Sequence, residues 1–248
     1  MRLGLVAGCG SLPALVLSRF PDAVVARIAT RGNKSEDRFF ITDLARVIRY
    51  FRSCEIDTVV ITGDVYRAAW RPSLMLVRLA LRLIFMKNRL DGILRLVIAQ
   101  FEKAGMRVVG IQDLLPDILV PEGLLTTAKP GKKDLVHIER NLPIARAFAA
   151  TDRGQSMILR DGLPVAFESL SGTDRLIAST MGDILVKIAK PGQDLRADIP
   201  VVGPATVEAL AKGGYKGMVL QAGRTIFADP TATMKAADKA GIFILGVE

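Results

Sequence analysis

The chain has 248 residues, half of them hydrophobic, which is enough apolar material for one large α/β domain or two smaller ones and excludes a disordered chain. Its 34 Lys and Arg against 25 Asp and Glu leave a formal net charge of +9, so the partners to expect are anionic: a phosphorylated small molecule, an acidic membrane surface or nucleic acid. Nucleic acid ranks last, because the aromatics are only 6% of the chain and are scattered rather than arranged as stacking platforms.

In chain order, residues 3–7 form a short apolar run, and Gly-Cys-Gly-Ser-Leu-Pro then turns into an apolar-periodic stretch over 14–19, which predicts strand, glycine loop and helix. A strand over 24–28, a helix over about 42–53 and a β-branched strand over 58–62 follow, the last ending at Gly63-Asp64. A helix is predicted over 70–89, another over 94–104, and a strand over 107–111. Strands alternating with helices imply a parallel, doubly wound, Rossmann-like sheet over residues 1–125. Residues 126–134, rich in Lys and closed by Pro-Gly-Lys-Lys-Asp, read as a linker. Beyond it, a helix over 141–150, strands over 156–160 and 164–168 around the turn Asp161-Gly162, a strand over 185–188, a helix over 206–212 and strands over 217–220 and 225–227 suggest an α+β domain with a mixed sheet over 135–248.

No run approaches the ~20 uninterrupted apolar residues of a membrane-spanning helix. Gly8, Gly10 and Pro13 break the N-terminal apolar stretch, which reads as folded protein rather than a signal peptide. Cys9, Cys54 and the single His137 offer neither zinc-site spacing nor a disulfide scaffold nor a nucleophile-base pair, and fit a reducing cytoplasm.

The most informative segment is KIAKPGQDLRADIP, residues 187–200. Gly192 and its prolines prevent a continuous helix or central strand. Lys187, Lys190 and Arg196 stand around Asp194 and Asp198, a mixture suited to gripping phosphate oxygens beside a divalent cation; the alternative is a solvated charged loop. Asp174, in the turn-rich segment 171–174, is a candidate to converge with those two carboxylates, and N-capping is its alternative reading. The loop of Gly8, Gly10, Ser11 and Leu12 is placed to bring backbone N–H groups to a phosphate at a helix N-terminus, or to serve as a plain β-to-α turn. The dinucleotide fingerprint is not met, since Pro13 breaks its register and Arg27 and Arg31 occupy the region of its acidic residue. Asp64 and Arg67 follow a strand end, where open sheets bind ligands. Arg71, Arg78, Arg82 and Arg89 share one face of the helix predicted over 70–89, which suits either anionic lipid or an ordinary solvated face.

Taken together, VAGCGSLP, GDVYR, DRGQ, SGTD, KIAKPGQDLRADIPVVGPATV and KAADKAGIFILGV resemble the two-domain UDP-2,3-diacylglucosamine pyrophosphatases of lipid A biosynthesis found in alphaproteobacteria and other Gram-negative bacteria. The resemblance implies Mg²⁺-dependent hydrolysis of UDP-2,3-diacylglucosamine to UMP and 2,3-diacylglucosamine 1-phosphate (lipid X), with the lipid held between the domains and water attacking the phosphorus on the sugar side. It implies Asp194 as the main catalytic carboxylate, Asp194 and Asp198 as metal ligands, Asp174 assisting, and Lys187, Lys190 and Arg196 stabilising charge on the diphosphate. Gly8, Gly10, Ser11, Leu12, Asp64, Arg67, Gln155, Gly172, Thr173 and Gln193 are the substrate-binding candidates. A cytoplasmic enzyme peripheral to the inner membrane is implied, and a homodimer is compatible with it. Three departures stand out: Cys9 replaces a glycine, Gly92 follows Asp91 where the family has paired aspartates, and Ser171 replaces a glutamate for which Glu168 is the nearest substitute. An alternative follows from them, a lipid X-binding or carrier homologue that has lost the chemistry.

Overall fold

A computed structural model describes residues 1–28, 38–40, 43–63, 89–169 and 171–248. Asp64, Arg67 and all but the last residue of the basic helix expected over 70–89 lie outside them. Two compact units are present, one formed by Met1–Leu115 with Asp194–Asp198, the other by Pro116–Gln193 with Ile199–Glu248.

In the first unit, β1 (Leu3–Ala7), β2 (Val24–Ile28), β3 (Arg38–Phe39), β4 (Thr58–Thr62) and β5 (Arg107–Val109) pair in the order β3-β2-β1-β4-β5, all parallel. All five residues of β1 are buried, as expected for a strand covered on both faces. The helix Leu44–Ser53 turns Leu44, Val47 and Phe51 inward, and Phe51 meets Phe101 of the helix Arg89–Lys103 with ring centroids 6.2 Å apart. The chain steps from β1 outward through β2 and β3, then returns to place β4 on the other side of β1. That reversal leaves a crevice at the carboxyl ends of β1 and β4. The last strand stops at Val109, two residues short of expectation, because the N–H of Gly110 donates to the Asp113 carboxylate at 2.8 Å and starts the short helix Ile111–Leu114.

The second unit is built on a mixed sheet. β6 (Gly123–Leu124), β7 (Ser156–Arg160), β8 (Leu163–Phe167) and β9 (Ile184–Lys187) precede a small parallel pair, β10 (Val201–Val202) with β12 (Ile226–Phe227), and the strands β11 (Gly217–Gln221) and β13 (Phe243–Val247). The large sheet has the order β6-β13-β11-β9-β7-β8, with β9, β11 and β13 parallel and the other pairs antiparallel. Its alternating side chains build two cores. Ile158, Leu185, Met218 and Ile244 pack with Val207 of the helix Pro204–Lys212 and Ala237 of the helix Pro230–Ala240. On the opposite face Met157, Val186, Val219 and Phe243 pack with Ile138, Ala145 and Ala149 of the helix Lys132–Ala150.

The hairpin turn at Asp161-Gly162 has positive φ at both residues, 51° and 75°, as a two-residue type I′ connection requires. Residues 126–134, expected as a linker, are tied into this unit. Thr126 Oγ1 accepts the Ile244 N–H at 3.0 Å, Thr127 donates from its N–H and hydroxyl to Asp238, and Gly131 N–H donates to the Asp134 carboxylate at 3.0 Å, capping a helix that starts at Lys132 rather than 141. The acidic segment 171–174, expected as a turn, is the opening of the helix Gly172–Ser179. Turn-forming residues at a helix start mimic an isolated turn until the apolar Leu176 and Ile177 are counted with them. No helix among the described residues is long and apolar enough to cross a membrane.

Candidate active site

In the second unit, antiparallel and parallel strands deliver polar side chains to one edge of the sheet. Lys187 ends β9 and Gln221 ends β11, while Ser156 begins β7 directly opposite Lys187, and Glu168 follows the end of β8. This is the carboxyl edge of the parallel strands. Lys187 is only 5% exposed, and its Nζ donates to Thr173 Oγ1 at 2.9 Å. The Thr173 hydroxyl donates in turn to Glu168 Oε1 at 2.7 Å. Because that hydroxyl has one proton, the 3.0 Å contact with Ser156 Oγ is made by a serine donor. Glu168 Oε2 accepts the Gln155 N–H at 2.8 Å. The buried ammonium is thus balanced by a carboxylate one hydroxyl away, an arrangement that meets the requirement that buried charge be paired and hydrogen-bonded. Gln155 Oε1 is buried without a hydrogen-bond partner among the described residues.

The loop after β9 is held by the same edge. Ile188 N–H donates to the Gln155 carbonyl at 2.8 Å, Ala189 N–H to Gln221 Oε1 at 3.0 Å, and Lys190 N–H to Gln193 Oε1 at 3.2 Å, across a turn with Gly192 at φ 74°. Lys190 Nζ lies 3.0 Å from Asp152 Oδ1. Asp174 is exposed in the first turn of the helix that presents Thr173, preceded by Gly172.

The expected site residues therefore fall into two groups. Lys187, Lys190, Gln155, Gly172, Thr173, Asp174 and Gln193 belong to the second unit, whereas Asp194, Arg196 and Asp198 belong to the first. There, Asp194–Asp198 forms a single turn in which the Asp194 carbonyl accepts the N–H groups of Ala197 and Asp198, and Ala197 packs on the core of the first unit. Arg196 grips Asp194 with a fork, Nε to Oδ1 at 2.9 Å and Nη2 to Oδ2 at 2.8 Å, its own N–H adds a third bond, and Nη1 reaches Glu102 at 2.7 Å. Those bonds from Arg196 hold the Asp194 carboxyl below its ordinary value, against the opposing effect of burial, and raise the guanidinium correspondingly. The sequence reading aims Arg196 at a diphosphate; its described partners are Asp194 and Glu102.

The glycine loop of the first unit sits at the crevice between β1 and β4. Gly8 N–H donates to the Thr62 carbonyl at 2.9 Å, Gly10 has φ 100° with open space where a Cβ would stand, and Ser11 and Leu12 open the helix Leu12–Arg19. Gly63 has φ 92°, and a Cβ there would lie 2.7 Å from the Cys9 carbonyl. The two turns accordingly pack backbone on backbone, and the exposed Cys9 side chain does not enter that contact.

Five participants escape the sequence-derived site: Glu168 (considered only as a substitute), Ser156, Asp152, Gln221 and Glu102. Asp152 reads from the sequence as a turn residue, which its left-handed φ of 61° makes it, and Glu102 is one charge among many on a helix face. Both oxygens of Asp194 are occupied by Arg196, and among the described residues no three His, Cys, Asp or Glu side chains come together to hold a metal ion.

Comparison with known proteins accounts for nearly all of the sequence. Residues 2–118 match the family model of the LpxI N-terminal domain, and residues 121–245 match that of the LpxI C-terminal domain. The UDP-2,3-diacylglucosamine pyrophosphatase LpxI of Caulobacter vibrioides is 30% identical, the match covering 100% of this chain and 98% of that protein. With both halves matched in order and a full-length relative alongside, the chain belongs to the LpxI family.

Proposed function

We propose that this chain is a UDP-2,3-diacylglucosamine pyrophosphatase of lipid A biosynthesis. Water attacks the phosphorus on the sugar side, the P–O–P bond breaks, and UMP leaves while 2,3-diacylglucosamine 1-phosphate is the second product. The full-length likeness to the Caulobacter vibrioides enzyme carries the choice of substrate. The single structural observation that supports the chemistry is Lys187, an ammonium buried at the carboxyl edge of the parallel strands of the mixed sheet and aimed by the Thr173 hydroxyl. A fixed cation in a low-dielectric setting stabilises charge on a diphosphate without reorganising during the reaction.

In this reading Lys187 and Lys190 take diphosphate oxygens, Glu168 positions Thr173, and the orphan Gln155 Oε1 accepts a hydrogen bond from the sugar or its acyl-bearing groups. Asp194 fixes Arg196 within the first unit, and Asp174, exposed in the first turn of the helix that presents Thr173, is the carboxylate of the second unit that orients water. The glycine loop of the first unit, in which the Gly8 N–H is spent on the Thr62 carbonyl, is a separate candidate for holding an anion through its remaining backbone N–H groups. A cytoplasmic setting, in which Cys9 and Cys54 stay free thiols, belongs to the same proposal.

The test is release of UMP from UDP-2,3-diacylglucosamine by the purified chain, run with Mg²⁺ and with EDTA so that the expected metal requirement is a variable. Lys187→Met and Asp174→Asn should each lower turnover by at least two orders of magnitude, roughly 3 kcal/mol of transition-state stabilisation. Lipid X binding without UMP release under either condition would instead identify a binding homologue.

A further inference from the structure

The helix Lys132–Ala150 ends on a residue that its position disfavours. After the cap Thr151, whose N–H returns to the Phe148 carbonyl at 2.9 Å, Asp152 turns left-handed with φ 61° and donates its N–H to the Ala149 carbonyl at 3.1 Å. Glycine is the usual occupant of such a place because it has no Cβ to crowd the backbone, and Gly105, Gly214 and Gly241 fill it after the helices Arg89–Lys103, Pro204–Lys212 and Pro230–Ala240. An aspartate is doubly unsuited: its Cβ makes the left-handed region costly, and its carboxylate faces the negative end of the helix dipole, where a cation would be favoured. A residue held in so costly a place is compensated by what it contacts.

The Asp152 side chain leads into the candidate active site. Its Oδ1 lies 3.0 Å from Lys190 Nζ, and the two side chains are 28% and 25% exposed. The first unit supplies a contrast: Glu55, left-handed at φ 56° past the helix Leu44–Ser53, pairs with Arg2, but those side chains stand in solvent at 79% and 60% exposure. The turn that carries Asp152 also reaches the other lysine. Gln155 N–H donates to Glu168, whose second oxygen takes the Thr173 hydroxyl that meets Lys187, and a Cβ at Gly154 would lie 2.8 Å from the Glu168 carbonyl oxygen. Residues 152–155 thus brace both ammonium groups from the end of one helix. An ammonium has three N–H donors, so the one given to Asp152 leaves two for phosphate oxygens, and the long lysine stem no longer has to be ordered when a ligand arrives.

We propose that Asp152 is a positioning residue for the hydrolysis: its carboxylate holds the Lys190 ammonium where a diphosphate meets it, which is why an acid stands in a glycine's place. What Lys190 meets rests on the function proposed above, whereas the Asp152–Lys190 pair does not.

Asp152→Gly in the full chain, followed by UMP release and thermal unfolding together, tests it. The diphosphate is charged before as well as during the reaction, so the lost ordering of Lys190 is felt in both states, and KM should rise roughly tenfold with kcat within about twofold of the parent. Tm should stay level or rise, because glycine suits the left-handed turn and a partly exposed ion pair contributes little to stability. Asp152→Asn, which tolerates the same turn and keeps one oxygen for Lys190, should hold KM within about threefold of the parent. In a Lys190→Met background Asp152→Gly should add nothing, and Glu55→Gly should leave KM unchanged. An unchanged KM in Asp152→Gly, a fall in Tm of more than about 4 °C, or a KM effect undiminished in the Lys190→Met background overturns the proposal. If the parent releases no UMP, the reading of the reaction fails by itself and calorimetric titration with inorganic pyrophosphate decides for the pair. Binding roughly tenfold weaker in Asp152→Gly supports it; equal binding, or none by the parent, overturns it.

Discussion

Removing the Thr173 hydroxyl by Thr173→Val tests whether the Lys187 network is held by that single atom. The substitution keeps the shape of the side chain while deleting one bond accepted from the Lys187 ammonium at 2.9 Å, one donated to the Glu168 carboxylate at 2.7 Å and one accepted from the Ser156 hydroxyl at 3.0 Å. Hydrogen bonds to charged groups contribute about 1.5–3 kcal/mol each. Glu168 is part-exposed and regains water, whereas Lys187 is 5% exposed and regains little, so the lysine bond dominates and the loss should be about 2–4 kcal/mol. For a chain of this size that corresponds to a fall in Tm of roughly 5–15 °C. Thr173→Ser keeps the hydroxyl and should fall by about 1 kcal/mol or less. Calorimetry that resolves the transition of the second unit, alongside UMP release, gives both readouts. A Tm for Thr173→Val within about 1 °C of the parent would refute the reasoning, as would equal losses for the valine and serine variants.

Three further outcomes follow from the same geometry. Asp194 titrates below its ordinary value of 3.8 when folded, so the unfolded chain binds the proton first as pH falls; its stabilisation is complete above that value and is lost through the lower folded value. Acid unfolding of Asp194→Asn should therefore lose part of this dependence, and profiles that superimpose on the parent would contradict the ion pair. Asn141→Ala removes donors to the His137 and Gly162 carbonyls from a 2% exposed site and should cost about 1–3 kcal/mol, with faster amide exchange confined to the β7–β8 hairpin and the adjoining helix turn; unchanged exchange there would count against it. Gly63→Ala forces a Cβ within 2.7 Å of the Cys9 carbonyl at φ 92° and should destabilise the first unit by about 1–3 kcal/mol, read by its own thermal transition; an unchanged transition would show that the two turns are not in contact.

The architecture was legible wherever the controlling interactions are local. Apolar runs such as Leu3–Ala7 and Thr58–Thr62 announce buried parallel strands, and Asp161-Gly162 announces a hairpin because few other pairs tolerate two positive φ values. Legibility failed at 126–134, where Gly, Pro and Lys suggest a linker; contacts with Asp238 and Ile244, more than a hundred positions away, order it.

By itself the sequence determined an α/β half followed by an α+β half, a basic chain and a short roster of site residues, because residue type and spacing carry that information directly. Which of those residues face one another belonged to the tertiary structure. Glu168, Thr173 and Lys187 meet because β9, β7 and β8 are neighbours and the helix Gly172–Ser179 begins at their shared edge. Asp194 and Arg196, two residues apart, could have served a ligand or each other; an arginine fork closing on the nearer carboxylate, with Glu102 behind it, is a choice made by packing on the first unit.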